Sequence, residues 1–356
     1  MILLTLIGSV FVQIAHSQSS GCGILHEGEP GAGGLWRTIQ TSDPYFGGTE
    51  REYLIYIPST YTPDNPSPLV LDFHGWGGSA DWHIKDSLWD AVGEEEGLII
   101  VVPNGIPDAE SGTRTWNITK EYDTEYGWRC DPDRSEYGEN ECHTSCSEWC
   151  NPAYGCTAGT TCYNDQAFIE QLIQNIQETY CVDNKHVHIS GYSNGGTFTY
   201  RMFSYSHLNL GGFGSVSGAP FIGRGDVPYP ARSLIDFHGL DDWTVPRQYD
   251  HSPGEGPLGD VRTIMSWDGL YYYYKPEYLD WVADSYTCDE EWVPMETGMD
   301  GVSDWICTSR LNCDDGAEIT KCEGNYGHTY PFNKGSDKIE AARILWKFFK
   351  SHPANM

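Results

Sequence analysis

The residues best suited to chemistry are Gly191-Tyr192-Ser193-Asn194-Gly195-Gly196, straight after the apolar run His186-Val187-His188-Ile189-Ser190. A Gly-x-Ser-x-Gly pentapeptide after a strand reads as a nucleophile elbow, a turn so tight that side chains at its flanks would collide with neighbouring elements. Thr197 to Tyr205 can continue as a helix whose first N–H groups point back at Ser193. A serine hydroxyl attacks only when a histidine takes its proton and an acid orients that histidine. The acid is expected in a loop leaving a strand, where His238-Gly239-Leu240-Asp241-Asp242-Trp243-Thr244-Val245-Pro246 follows Leu234-Ile235. Asp241 and Asp242 compete for the role, and Asp236 would lie on the strand itself. The histidine should come after the last strand. That singles out His328 in Gly327-His328-Thr329-Tyr330-Pro331 over His352 near the C-terminus and over His207 and His251, which come too early.

An oxyanion that develops during such an attack needs donors already aimed at it. The backbone N–H of Asn194 is one candidate. The other is the N–H of Trp76 in the glycine-rich stretch His74-Gly75-Trp76-Gly77-Gly78, where His74 is expected to brace the loop. Tyr192, Trp116 and Trp243, with Trp82, are aromatic candidates for contact with substrate.

These residues need a scaffold, and the hydrophobic pattern supplies one. Strands are expected at Glu52 to Pro58, Pro68 to Phe73, Leu98 to Val102, the elbow run, Phe213 to Val216, Ser233 to Phe237 and Glu318 to Cys322. Helices are expected at Asp165 to Tyr180, Glu277 to Tyr286 and Ile339 to Phe349. Such alternation predicts a mostly parallel sheet covered on both faces, with the ligand crevice at the carboxyl ends of its strands.

Met1 to Ser17 reads as a secretory signal, leaving residues 18–356 as one catalytic domain without a linker or repeat. The 12 cysteines all follow that segment, as expected for disulfides in an oxidising compartment. Six of them (130, 142, 146, 150, 156 and 162) crowd Glu121 to Tyr163, which reads as a disulfide-stapled insertion beside the acyl pocket. Three bridges inside it are expected, or two with a tie to the core through Cys181. Pro246 to Lys275, rich in Gly, Pro and Tyr, reads as a second excursion, near the site or packed on the surface.

A net charge of −30 argues against nucleic acid and anionic membranes as partners, because phosphate contacts need Lys and Arg. No later segment is apolar enough to span a bilayer. A secreted, extracellular monomer without metal or other cofactor is expected. Cys142-x3-Cys146-x3-Cys150 has zinc-like spacing but no matching His/Cys pair. Asp131-x-Asp133-x-Ser135 begins like a calcium loop, but Glu136 stands where glycine is required. Asn117-Ile118-Thr119 is a glycosylation sequon that overlaps the stretch Arg114-Thr115-Trp116-Asn117, so Asn117 reads either as a modified asparagine or as one buried near the site and unmodified.

Taken together these motifs resemble the secreted esterases grouped with poly(3-hydroxybutyrate) depolymerases and LpqC-type feruloyl esterases. The resemblance runs from Gly21-Cys22-Gly23 through His74-Gly75-Trp76-Gly77-Gly78, Arg114-Thr115-Trp116-Asn117, Asn164 to Phe168, Cys181-Val182-Asp183 and the elbow. It then takes in His238-Gly239, Trp281, Cys288 and Gly327 to Pro331. It implies an α/β-hydrolase fold, and its His-Gly-x-x-Asp-x-x-Val-Pro pattern selects Asp242 over Asp241. It also implies cleavage of esters by Ser193, Asp242 and His328, with hydroxycinnamoyl groups on cell-wall xylan as the leading substrate. A polyester depolymerase, a general acyl or acetyl esterase and a non-catalytic binding protein are the alternatives. Tyr330 stands where the family commonly has tryptophan, and both long segments depart from the pattern, departures expected to reshape the substrate groove.

Overall fold

A computed structural model describes residues 17–25, 33–43, 47–118, 143–146, 160–220, 226–246, 263–265, 271–296, 305–331 and 341–355. The runs of Val, Ile and Leu become the centre of one sheet. In chain order its strands are β1 (Leu35–Asp43), β2 (Gly47–Tyr56), β3 (Ser67–Phe73), β4 (Ile99–Pro103), β5 (Val182–Tyr192), β6 (Phe213–Val216) and β7 (Leu234–Gly239). After a separate hairpin of β8 (Thr263–Met265) and β9 (Tyr271–Tyr273) come β10 (Val293–Pro294), β11 (Ile306–Arg310) and β12 (Ile319–Gly324). The spatial order is β1-β2-β4-β3-β5-β6-β7-β12-β11-β10. From β4 to β12 all neighbours are parallel, and the strands outside them are antiparallel.

Parallel strands buried on both faces need apolar side chains at successive positions, which is why they read as unbroken hydrophobic runs. The period of two then deals those side chains to opposite faces. Leu69, Leu71, Val187 and Ile189 pack with α3 (Asp165–Thr179), α4 (Asn194–Tyr205) and α5 (Lys275–Ser285). Val70, Ile100, Ile235 and Phe237 pack with α1 (Ala80–Ser87), α2 (Trp89–Glu96) and α6 (Ala341–Ser351). Two cores thus clamp one sheet, as the alternation of strands and helices implied.

Seven elements were not foreseen: α1, α2, β1, β8, β9, β10 and β11. The helices α1 and α2 are eight residues each and meet at Leu88, whose φ is 61°. The inward face of α1 carries His83 and Ser87 beside Ala80 and Ile84, so it has no clean apolar stripe to read. The strands β1 and β11 lie outside the parallel core and lack a continuous hydrophobic run.

Three disulfides tie the frame: Cys22–Cys181, Cys288–Cys313 and Cys307–Cys322, the last joining register partners of β11 and β12. The pairing of Cys22 with Cys181 rules out the second of the two expected arrangements, the one with a tie between Cys181 and the insertion. Cys162 is also disulfide-bonded. At the C-terminal end of the segment Glu121 to Tyr163, Thr160, Thr161 and Cys162 are buried. Its residues 121–142 and 147–159 lie outside the described residues, as does the signal segment 1–16. The described end of the second excursion is no surface loop: Tyr272, Tyr273 and Lys275 are buried. Among the described residues no helix is long and apolar enough to cross a membrane.

Candidate active site

Ser193 sits between the end of β5 and the start of α4 with φ 55° and ψ −118°. A non-glycine residue held there stores strain on the order of 1–3 kcal/mol. The flanking glycines are needed for space. A Cβ on Gly191 would stand 2.4 Å from the carbonyl oxygen of Gly195, and one on Gly195 would stand 2.3 Å from that of Phe73. Both ends of the turn are pinned: the Ser193 N–H donates to Val216 O at 2.8 Å, and the Thr197 N–H to Ser193 O at 2.8 Å.

The loops after β7 and β12 bring the two partners in. The Ser193 hydroxyl is 2.8 Å from His328 Nε2, and His328 Nδ1 is 2.8 Å from Asp242 Oδ2. Nδ1–H therefore donates to the carboxylate, leaving Nε2 to accept from the serine. The other oxygen of Asp242 accepts the N–H groups of Thr244 and Val245, both at 2.9 Å, so the loop wraps around a buried carboxylate. Asp241 is exposed, and its N–H goes to Tyr326 O. The two loops touch at Gly239, where a Cβ would stand 2.1 Å from Tyr326 O.

Tyr192 braces the histidine from below. Its hydroxyl donates to His328 O at 3.2 Å, and its ring stacks on His83. Burial, then the carboxylates of Asp242 and Asp86, raises its pKa, so it stays a neutral donor. His83 is in turn 2.7 Å from the buried Asp72, which accepts the Ser190 hydroxyl at 2.6 Å. Tyr192 thus touches His328 itself.

Gly75 packs against Ser193, its would-be Cβ 3.2 Å from the serine Cβ, and the N–H of Trp76 belongs to the peptide leaving that glycine. The loop is braced from within by His74, whose Nδ1–H donates to Gly75 O at 2.7 Å while Nε2 accepts the Gly105 N–H at 3.0 Å. Burial pushes its pKa down to about 3, in keeping with a structural imidazole. The side chain of Trp76 is exposed, as are those of Trp82 and Trp243.

Two expected roles do not survive. Trp116 is fully buried, stacked on Phe198, with its indole N–H donating to His74 O at 2.9 Å. It is an internal brace and offers no face to substrate. Asn117 is 1% exposed, and its amide donates to Tyr163 O at 2.8 Å, which leaves no room for a glycan. Asn194 has a second task that its sequence position hid. Its side-chain oxygen accepts from Thr115 Oγ1 at 3.0 Å and from the Trp116 N–H at 2.9 Å.

Among the described residues no cluster of His, Cys, Asp and Glu could hold a metal ion. Asp131, Asp133, Ser135 and Glu136, and the side chains of Cys142, Cys146 and Cys150, lie outside what is described.

A sheet in this order, a strained serine between β5 and α4, and an acid and a histidine after two later parallel strands define the α/β-hydrolase fold. No family model matches the chain. It is 24% identical over 195 residues to the bifunctional acetylxylan esterase/xylanase XynS20E of Neocallimastix patriciarum, a match covering 55% of this chain and 22% of that protein. It is 22% identical over 241 residues to feruloyl esterase D of Neurospora crassa, covering 67% of each. Among solved structures, an acetyl xylan esterase from Aspergillus awamori superposes with a TM-score of 0.52 at 15% identity, covering 89% of this chain and 100% of that one. The likeness to esterases implied by the motifs is borne out, and the chain spans about a fifth of the length of the Neocallimastix protein.

Proposed function

We propose that the protein is a secreted serine carboxylic-ester hydrolase that removes hydroxycinnamoyl groups from xylan. The observation that carries this reading is the unbroken chain Ser193–His328–Asp242, with both contacts at 2.8 Å. Ser193 Oγ attacks the ester carbonyl carbon as His328 Nε2 takes its proton. The carbonyl oxygen becomes an oxyanion facing the N–H groups of Asn194 and Trp76. When the tetrahedral intermediate collapses, the C–O bond to the alcohol breaks and His328 returns the proton to the departing oxygen. Water then repeats the cycle on the acyl-serine and releases the acid. Asp242 holds the imidazole in the required tautomer and stabilises it when it is charged.

Three structural disulfides and an apolar N-terminal stretch support secretion. A second reading, removal of acetyl groups from xylan, is favoured by the likeness to acetylxylan esterases. The burial of Trp116 also favours it, since one aromatic partner for a phenolic acyl group is lost. Hydrolysis of p-nitrophenyl acetate by the wild type and by Ser193→Ala tests the chemistry. Undiminished turnover by the variant would refute it. Methyl ferulate, acetylated xylan and hydroxybutyrate oligomers, compared by kcat/KM, then separate the substrates.

A further inference from the structure

The proposed acid Asp242 does not stand alone beneath the site. Behind it lies His238, on the same β7 that leads into the acid's loop. His238 Nε2 is 2.7 Å from Val245 O and 3.5 Å from Asp242 Oδ2. A carbonyl oxygen only accepts, so Nε2 carries the hydrogen and Nδ1 is left to face the other way. There it meets Asp236, with Oδ2 at 4.0 Å. Asp236 in turn receives Lys275 Nζ at 2.6 Å and the Tyr200 hydroxyl at 2.9 Å, both on Oδ1. Lys275 also donates to Gly218 O. Burial, then Asp236, raises the Tyr200 pKa well above its ordinary value, so Tyr200 stays a neutral donor.

Lys275 is fully buried, and so are Asp236, His238 and Asp242. Burying an ammonium is costly unless a carboxylate meets it, and the reverse holds equally. The lysine comes from the end of the Gly/Tyr-rich excursion, 39 residues after Asp236, and opens α5, with its ammonium 5.0 Å from the centre of the Tyr200 ring on α4. The charged neighbours of His238 are Asp236 on its own strand, Asp242 in the following loop and Glu323, its register partner on β12. Beyond these stand Lys275, held on Asp236, and Lys321, the register partner of Asp236, whose ammonium lies over the Trp292 ring at 4.0 Å. His328 reaches the group through Asp242.

An imidazole between the carboxylates of Asp236 and Asp242 has a strong pull toward taking a second proton. A charged His238 would stand 3.5 Å from the oxygen that serves His328 and would compete for it. We propose that Lys275 is a positioning residue. Its ammonium neutralises Asp236, keeps His238 uncharged, and so leaves the Asp242 carboxylate to His328 alone. The excursion is thereby wired to the site through Lys275–Asp236–His238–Asp242. This rests on the triad reading above.

The test compares wild type, Lys275→Met and Lys275→Met/Asp236→Asn, with Ser193→Ala as the reference for the reading itself. Competent sites are counted by stoichiometric labelling with a fluorophosphonate, so that kcat refers to folded enzyme only. Lys275→Met leaves Asp236 without its cation, and His238 takes the charge. Per-site kcat on p-nitrophenyl acetate should fall on the order of 10- to 100-fold with KM little changed, less than the roughly 10⁴-fold loss when a triad carboxylate is itself replaced. The acid limb of the kcat/KM profile should move to lower pH, because a charged His238 disfavours charge on His328. The double variant removes both charges and should recover per-site kcat to within about threefold. A full per-site kcat in Lys275→Met, or a double variant as slow as the single, would overturn the proposal while an inactive Ser193→Ala kept the triad intact. An active Ser193→Ala would overturn the triad first.

Discussion

The side chain of Asn194 accepts the N–H of Trp116 at 2.9 Å, so the residue after the serine also ties down a segment 78 positions earlier in the chain. Thr115 Oγ1 shares the same oxygen at 3.0 Å. The proposed oxyanion donor is thereby coupled, through Trp116 and His74, to the loop that carries the other one.

Asn194→Ala keeps the backbone N–H but leaves the buried Trp116 N–H without its acceptor. An unsatisfied buried donor costs about 1–3 kcal/mol. The variant should show a lower Tm and a partial loss of kcat, on the order of tenfold. Ser193→Ala should lose at least roughly 10³-fold. Parallel thermal melts and esterase assays check this, and an unchanged Tm would count against the tie.

The two adjacent aspartates should behave very differently. Asp242 meets His328 Nδ1 and two backbone N–H groups, whereas Asp241 is exposed. Asp242→Asn should impair kcat severely, and Asp241→Asn should stay within about threefold of wild type. The reverse ranking in a simple rate assay would sink the assignment.

Acid should loosen the junction between the loop after β4 and the described part of the cysteine-rich segment. Burial alone would raise the pKa of Asp108. Hydrogen bonds from the backbone and side chains of Ser111 and Thr144 outweigh it and hold the carboxyl well below the usual carboxylate range. A depressed folded-state pKa stabilises above the unfolded value of about 3.9, and that contribution is lost as pH falls through the folded value. The gap in Tm between wild type and Asp108→Asn should be fully present at pH 7 and shrink below about pH 4. A gap that widened on acidification would refute this account.

Trp76 and Trp243 flank the proposed triad by sequence, next to Gly75 and Asp242, and both side chains are exposed. Aromatic faces suit sugar rings and phenolic acyl groups alike. Trp243→Ala and Trp76→Ala should raise KM on feruloylated or acetylated xylan severalfold while kcat/KM on p-nitrophenyl acetate stays close to wild type. Equal effects on both substrates would point to a role in holding the site together.

The serine turn was legible in the residues because it depends on local constraints. Only glycine fits at positions 191 and 195, two residues either side of Ser193, and the carbonyls that would strike a Cβ belong to the elbow itself and to the end of β3. The parallel sheet was equally legible, since burial on both faces leaves an unbroken apolar signature. Depth was not legible. Trp116 and Trp243 are the same residue type beside the same site, yet one is fully buried and the other is exposed. At Asn117, too, burial decides between the two readings that the sequon allowed. The short helix α1 was hidden because polar His83 and Ser87 occupy its inward face, and α2 because eight residues with three inward positions give too short a period to read. Spacing alone left Asp241 and Asp242 level, and the family pattern favoured Asp242. The tertiary structure joins that residue to an imidazole 86 positions away. Nor could spacing have joined Lys275 to Asp236, because a buried ion pair is written in three dimensions. Local sterics and periodicity are properties of neighbouring residues, whereas burial and charge pairing exist only after distant segments have met.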